Sequence, residues 1–488
     1  MSETINYETI IGLEIHVQLN THSKAFCGDA VAFGGAPNTH ISAVSLAHPG
    51  TLPRANAAHI KSAVELGLAL GCKINQKNTF DRKNYFYADL PKGYQITQDK
   101  TPICGNGFLQ IRLSDGSEKT IRIHHLHCEE DAGKSLHDQD PINSYIDLNR
   151  AGTPLLEIVT EPDLRSGEEV EVCMTAMRQL VRWLNISDGN MEEGSMRCDV
   201  NISVRPFGTD ILNTRCEVKN VNSMRFARRA VEYESKRQIQ LMEIGGKVVQ
   251  STLNFDPVTG VTMPLRSKEN AHDYRYFPDP DLPPVVISNA ELAASETYLR
   301  SFSLPHEALK MLTDDFSLSL YDALIITEDR AVFEYFKQQT ASLDKNLYKP
   351  AANLLINKLL PYAKEKSIAL KDLLLTPAQL ISFLQLIESG SVSHSAAYQN
   401  LLPVILENPN AEPKKLAANL NLMTSNNADE LEIWIKTVIE QNPEKVKDYK
   451  KGKKGLIGFF MGEIMKLSKG KADAKLTQTI LQKKLENE

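Results

Sequence analysis

The feature that most constrains this chain is a change of texture at the proline-dense stretch Pro278-Asp-Pro-Asp-Leu-Pro-Pro284. Proline removes a backbone donor and restricts the residue before it, so neither a regular helix nor a central strand runs through such a segment. On its amino-terminal side, apolar and polar residues alternate with period two, as in Thr120-Ile-Arg-Ile-His124, Ser144-Tyr-Ile-Asp147 and Val200-Asn-Ile-Ser-Val204. Helical spacing interrupts these strands at Ala57 to Leu70, Gly167 to Leu184 and Ser223 to Ile244. On its carboxyl-terminal side the period becomes helical, over Ala290 to Phe302, Leu318 to Gln339, Tyr348 to Lys366, Thr376 to Ser389, His394 to Leu406 and Asp429 to Gln441. From Glu444 the tail reads as two more short helices joined by Lys469-Gly-Lys-Ala472. Strands mixed with a few long helices, lacking a regular βαβ period, predict an α+β domain followed by all-α domains.

At 488 residues the chain exceeds what one hydrophobic core serves, and 42% apolar residues suffice for several cores. No apolar run approaches the roughly 18 residues of a membrane-spanning helix. The first residues lack a basic region followed by an apolar stretch, so no membrane role and a cytoplasmic location are expected. The seven cysteines never come closer than 18 residues to one another, which excludes a CxxC zinc knuckle and argues for reduced, buried thiols. Charge is uneven. From Lys445 onward twelve lysines stand against five acidic residues, a net +7 that leaves −13 on the rest of a chain whose total is −6. The end is a basic appendage on an acidic body, which either a solvated helical face or nucleic-acid binding explains.

There is no GxxxxGK[ST] phosphate loop, no GxSxG elbow and no HExxH helix in the sequence. What remains is a set of carboxylate and imidazole clusters on predicted strands. In Gly12-Leu-Glu-Ile-His16, alternation sends Glu14 and His16 to one face. In His125-Leu-His-Cys-Glu-Glu-Asp131 it groups His125, His127 and Glu129, and a turn at Met191 to Gly194 leads into a strand bearing Asp199 and Asn201. One imidazole among several carboxylates is an oxygen-rich donor set, better suited to Mg²⁺ or Mn²⁺ than to structural zinc. Salt-bridged strand ends are the plainer reading of each cluster. Asp81 to Tyr87 and Asp89 to Gln95 interleave Arg82, Lys83 and Lys92 with Tyr85, Tyr87 and Tyr94, a composition able to stack a base and hold a phosphate, or simply to build sheet core. Arg215, Glu217 and Lys219 share a face of a further strand.

The stretches GLEIHVQL, DRKNYFYADLPKGYQI, EEDAGK, Asp147-Leu-Asn-Arg-Ala-Gly-Thr-Pro-Leu-Leu-Glu-Ile158, DGNMEEGSMRCDVNISVRP, TRCEVKNVNS and Arg266 to Pro280 resemble the B subunits of the Asp/Glu-tRNA amidotransferases, GatCAB. The resemblance covers nearly the whole chain, and Gly458 to Met465 with Lys469-Gly-Lys-Ala472 looks like the YqeY-type appendage of that family. It implies a cradle-shaped catalytic domain over 1–292 with a mixed, largely antiparallel sheet on a glutamine-synthetase-like plan. A helical domain over 293–407 and a basic tail over 408–488 that grips the tRNA elbow would follow. It also implies an A subunit that releases ammonia from glutamine, a C subunit that straps A to B, and a tunnel between the two sites. With ATP and Mg²⁺, the side-chain carboxylate of misacylated Glu-tRNA(Gln) or Asp-tRNA(Asn) would become an acyl phosphate, which ammonia converts to the amide.

Position by position, the resemblance makes Glu14, His16 and Glu129 divalent-metal ligands, with Asp199 beside them. Lys83 and Lys92 resemble the lysines near the tunnel mouth and the acceptor end, and Glu130, Asn149, Arg150, Arg197, Glu217 and Lys219 fall in the same cavity. In the tail, Lys447, Lys450, Lys451, Lys453, Lys454, Lys469 and Lys471 are the candidates for tRNA contact. The chain departs from the pattern where many relatives carry a CxC and a CxxC, for here only Cys27 stands, in Phe26-Cys-Gly-Asp29 and Ile41-Ser-Ala-Val-Ser45, so no structural zinc is expected. Two other readings compete: a non-catalytic tRNA-binding subunit of the same kind of complex, and a free-standing metal-dependent ligase or hydrolase for a small molecule.

Overall fold

The computed structural model describes residues 5–137, 139–219, 221–266, 273–424, 428–468 and 470–487. The chain forms two compact units, the first running to Ala308 and the second from Leu309 onward.

The first unit is organised by a large mixed sheet of nine strands. In chain order these are β1 (Tyr7–Gln18), β2 (Lys73–Ile74), β3 (Cys104–Arg112), β4 (Glu118–Glu130), β5 (Pro154–Thr160), β6 (Met196–Pro206), β7 (Cys216–Lys219), β8 (Ser251–Asp256) and β9 (Val261–Arg266). Their order across the sheet is β9-β8-β7-β6-β1-β5-β4-β3-β2. Every neighbouring pair is antiparallel except β7 and β8, which run parallel. The first strand of the chain therefore lies in the middle of the sheet, and β6 pairs with it along eleven residues, from Tyr7 opposite Pro206 to Val17 opposite Met196.

Alternation decides the two faces. Along β1, Leu13, Ile15 and Val17 are buried while Glu14, His16 and Gln18 between them keep partial exposure. The apolar face continues through Cys198, Val200 and Ile202 of β6, Leu156 and Ile158 of β5, and Leu126 and Cys128 of β4. Three helices cover it: α1 (Ala57–Ala69), α2 (Gly167–Trp183) and α3 (Met224–Glu243). Each begins at a residue whose side chain caps a free backbone donor: Asn56 accepts from the Ala58 amide, Ser166 from Glu169 and Ser223 from Phe226. α1 packs close against the sheet, so that a Cβ on Gly107 of β3 would fall 2.2 Å from Cys72 Sγ and 2.8 Å from the Leu70 carbonyl oxygen. Only glycine permits that approach. The helix read from Ala290 to Phe302, which opens the helical half of the sequence, forms as Asn289–Arg300 behind a Ser288/Glu291 capping box and lies against α1 in the first unit.

The second unit is helical. Two expectations change here. The span Leu318 to Gln339 is two helices, Leu320–Thr327 and Arg330–Thr340, because the Asp329 side chain accepts from the Ala331 amide and starts a new helix where periodicity alone runs on. The tail from Glu444 holds three helices, Pro443–Lys450, Ile457–Leu467 and Ala474–Asn487, since Pro443 opens the first and Gly452, at φ +106°, follows its end. With Ala428–Gln441 they share a core of Leu431, Ile435, Val438, Tyr449, Phe460, Ile464, Leu481 and Leu485. No helix among the described residues is long and apolar enough to cross a membrane, and all seven cysteines are free thiols, six buried and Cys27 partly so.

Ile15 is fully buried in the central strand. Replacing it with Ala is expected to lower the stability of the first unit by about 2–5 kcal/mol, read from the urea midpoint of its transition, because the neighbouring helices and strands cannot collapse into the void.

Candidate functional site

The face of the sheet opposite α1 to α3 is acidic. Five adjacent strands each contribute one carboxylate to it: Glu217 from β7, Asp199 from β6, Glu14 from β1, Glu157 from β5 and Glu129 from β4. Register brings them together, with Glu14 opposite Asp199, His16 opposite Glu157, and Glu157 opposite His127.

They form two groups. In the first, His16 Nε2 lies 3.1 Å from Glu157 Oε2 and 3.6 Å from Glu129 Oε1, while His127 Nε2 lies 3.6 Å from Glu157 and 3.7 Å from Glu129. In the second, Glu14, Asp199 and Glu217 gather around Lys219, whose ammonium is 2.5 Å from Asp199 and 3.0 Å from Glu217, and Asn201 donates to Glu14 at 2.9 Å. The four residues expected as metal ligands are thus divided: His16 and Glu129 in one group, Glu14 and Asp199 in the other.

Each group offers one His or carboxylate atom per residue within 4.8 Å of the others, the donor chemistry and spacing that a hard divalent cation takes. Two like charges about 4 Å apart repel by about 4 kcal/mol at an effective dielectric near 20, so this density of carboxylates demands protons, lysines or cations. Proton affinities record the strain. Burial, then the neighbouring Glu157, raises the Glu14 carboxyl above its ordinary value, and Asn201 only partly offsets them. Burial opposes a charge on His16, but the Glu157 hydrogen bond and the charges of Glu129 and Glu157 outweigh it and hold the imidazolium up to about 9. Glu157 is itself pulled well below the carboxylate range, against its burial, by His127, His16 and Lys83. His125, stacked on His127 with ring centroids 5.3 Å apart, is pushed down to about 4 by burial and by its histidine neighbours.

Lys83 stands on the strand Asp81–Asn84 of a small separate sheet, 4.9 Å from the ring centre of Tyr274, and its charge bears on Glu157. Tyr85, Tyr87, Tyr274 and Tyr276 make a chain of edge-to-face contacts there. Arg82 is committed elsewhere, bound to Asp279 and Asp281 at 2.7 Å each and lying 4.2 Å from the Tyr94 ring centre. Arg197 donates to Asp131 at 2.8 Å, Gln18 to the same carboxylate at 2.7 Å, and Arg150 approaches it to 3.5 Å while binding the Ala132 and Gly133 carbonyls.

Lys92 and Glu130 pair with each other, and the Ile96 amide donates to Glu130 at 2.9 Å. They line a cavity of about 190 Å³ together with Lys24, Cys27, Ser45 and Asp131. Lys24 is fully buried, donates to the His40 and Leu148 carbonyls at 2.7 and 3.3 Å, and is held below the usual lysine range by burial. Cys27 donates to Asp29 at 3.2 Å, and Asp29 also accepts from Ser45 and from the Ser42 amide. Asn149 spends its side chain on the 36–40 loop, donating to the Ala36 carbonyl at 2.7 Å and accepting from the His40 amide at 2.8 Å.

In the second unit Lys447, Lys450, Lys451, Lys453 and Lys454 are exposed along one helix and the turn after it, and Lys471 is partly exposed. Lys447 and Lys453 make exposed ion pairs with Glu444 and Asp448, and Lys454 lies 4.3 Å from the Tyr449 ring centre. Lys469 and the 267–272 part of the Arg266 to Pro280 motif lie outside the described residues.

Sequence reasoning missed Glu157, Asp131 and Lys24 as parts of these sites. Glu157 carries a usable signal, a lone acid inside the apolar strand Leu155-Leu-Glu-Ile-Val159. Lys24 carries none, since its burial arises from distant loops that wrap it.

Residues 9–293 match the sequence model of the GatB/GatE catalytic domain, and residues 334–485 that of the GatB domain. Full-length similarity extends to proteins named as B subunits of aspartyl/glutamyl-tRNA(Asn/Gln) amidotransferase. That of Chlorobium chlorochromatii is 43% identical over 99% of this chain and 100% of its own length. The protein of Myxococcus xanthus is 44% identical over 98% and 99%, and that of Rickettsia conorii 44% over 99% and 98%.

In metal-free protein the His16 imidazole is expected to titrate near 9 by NMR. Its folded value lies above the ordinary 6.5, so its contribution to stability is complete below pH 6.5 and is lost as pH rises through 9. His16→Gln should abolish that component of the pH-stability curve.

Proposed function

This chain belongs to the family of aspartyl/glutamyl-tRNA(Asn/Gln) amidotransferase B subunits, and on that premise we propose that its acidic sheet face is where a tRNA-borne side-chain carboxylate is activated and amidated. The observation that carries the proposal is the convergence of Glu14, His16, Glu129, Glu157, Asp199 and Glu217 on one sheet face. Two divalent-ion sites fit these residues, one held by His16, Glu129 and Glu157, the other by Glu14, Asp199 and Glu217, with Mg²⁺ or Mn²⁺ the suited ions. A divalent ion there would offset the charge of the ATP phosphates, so that the γ-phosphoryl group can be drawn to an anionic carboxylate.

The chain's own residues do the remaining work. Lys83, over Tyr274 and felt by Glu157, supplies positive charge at one rim, and Lys219 supplies it at the other. Arg197 and Arg150, both engaged by Asp131, hold a cationic edge beside the first cluster. A carboxylate lacks a leaving group. Phosphorylation provides one, and attack by ammonia on the acyl carbon then expels inorganic phosphate, forming the C–N bond and breaking the C–O bond. Asp/Glu-tRNA amidotransferases are named for this exchange, and the ammonia would come from a glutaminase A subunit held by a C subunit.

We extend the proposal to the chain's organisation. The first unit, to Ala308, is the catalytic cradle expected over 1–292, on a plan like that of glutamine synthetase, extended by the helix Asn289–Arg300; a helical domain to residue 407 and a basic tail over 408–488 follow. Lys447, Lys450, Lys451, Lys453 and Lys454 form an exposed cationic stretch suited to tRNA phosphates, to which the proposal adds the partly exposed Lys471 and, from the sequence alone, Lys469. The paired Lys92 and Glu130 line a cavity suited to a small polar passenger, with Asn149 bracing the loop beside it. The cytoplasm, where tRNA is charged, is the proposed location.

Glu157→Gln in the complex reconstituted with A and C subunits is expected to lower the rate of tRNA amidation by about a hundredfold to a thousandfold, since a misplaced cation removes most of the electrostatic stabilisation. Glutaminase turnover, measured as glutamate release with ammonia uncoupled, should persist. Amidation at the wild-type rate would sink the proposal and leave only a tRNA-handling role.

A further inference from the structure

Beyond the acidic face, the described residues of the first unit also form a hollow lined by arginines. Arg178 and Arg182 of α2 and Arg225 at the start of α3 line an open groove of about 550 Å³ closed by the turn that follows α2. Neither Arg178 nor Arg225 is ion-paired with a carboxylate among the described residues. A guanidinium left without an acid in a concave site is matched to an anion, and its planar fork fits two phosphate oxygens. The amino-terminal turn of α3, a helix of 20 residues with no acidic residue in that turn, forms part of the same wall and adds its positive dipole end.

The turn is shaped for the arginine. A Cβ on Gly189, whose φ is +62°, would sit 2.6 Å from Arg178 Cγ, so the bare backbone is the space over which the Arg178 stem crosses. Asp188 and Glu192 of the same turn also line the groove, and the Asn190 amide donates to Asp188 at 2.9 Å.

Position ties the groove to the proposed reaction centre. β6, which carries Arg197 and Asp199, begins at Met196, just beyond the turn, and β7 ends at Lys219, three residues before Asn222 on the groove wall. Three residues of chain span at most about 11 Å, so this wall of the groove lies close to the Lys219 end of the acidic face. We propose that this groove seats a backbone phosphate of the tRNA acceptor strand, which orients the aminoacylated end toward the acidic face. The proposal rests on the reading of that face as the amidation site.

The test uses the full-length chain and an acceptor-stem minihelix ending in CCA, a probe without the tRNA elbow, in a salt titration. Arg178→Gln/Arg225→Gln keeps the stem over Gly189 and removes both charges. It is expected to weaken minihelix binding about tenfold or more at about 0.1 M salt and to reduce the slope of log K against log salt by about one to two, with ATP binding unchanged. Arg178→Lys/Arg225→Lys should recover the salt slope but only part of the affinity, which a merely structural role would not produce. Wild-type affinity and slope in the Gln variant would overturn the proposal, and so would a loss confined to ATP, which would assign the groove to the nucleotide. Failure of the groove variants beside a normal Glu157→Gln amidation defect would sink the groove alone.

Discussion

Mutual repulsion among five carboxylates on five adjacent strands is the constraint around which the first unit is arranged. A strand offers alternate residues to opposite faces, so a sheet can be dry on one side and charged on the other without any conflict within a strand. Here the dry side, with Leu13, Ile15 and Val17 at its centre, supplies the burial that holds nine strands in register against three helices. That register in turn forces Glu14 against Asp199 and Glu157 against His16. Acids that would separate in solution are held together by apolar burial on the far face.

The local answers to that repulsion differ across the sheet. Toward β4 the cluster uses imidazoles, His16 and His127, and its central acid Glu157 is deprotonated far more easily than usual. Toward β7 it uses the ammonium of Lys219. Glu14, between the two, is compensated chiefly by the neutral amide of Asn201 and retains its proton more readily. Under the proposed function, a divalent ion and a phosphate-bearing substrate would take the place of these protons and the lysine in offsetting the charge. The cationic groups Lys83, Arg150 and Arg197 stand around this face and the arginine groove lies at its β6–β7 end, a distribution suited to a polyanion laid across the unit.

Much of this is legible in the residues alone. The alternation in Gly12 to His16 and in His125 to Glu129 assigns the correct side chains to one face, and the helical spacing over Gly167 to Leu184 and Ser223 to Ile244 falls on α2 and α3. Other features are hidden. Asp329 starts a helix inside a continuous apolar period, because a single side chain-to-amide bond outweighs the periodic signal. Asn149, a candidate for the reaction cavity, spends both ends of its amide on a distant loop, and Lys92 and Glu130 answer each other. Pairings of this kind join positions more than thirty residues apart, which spacing along the chain does not report.

The sequence by itself determined which residues could share a face, where the chain turns from strands to helices, and that its end is basic, because these follow from local period and composition. Only the tertiary structure decided which faces meet. The four expected metal ligands belong to two groups because β1 sits between β5 and β6, so that Glu14 leans toward one neighbour and His16 toward the other. Strand order is set by the burial of side chains far apart in the chain, and no local pattern encodes it.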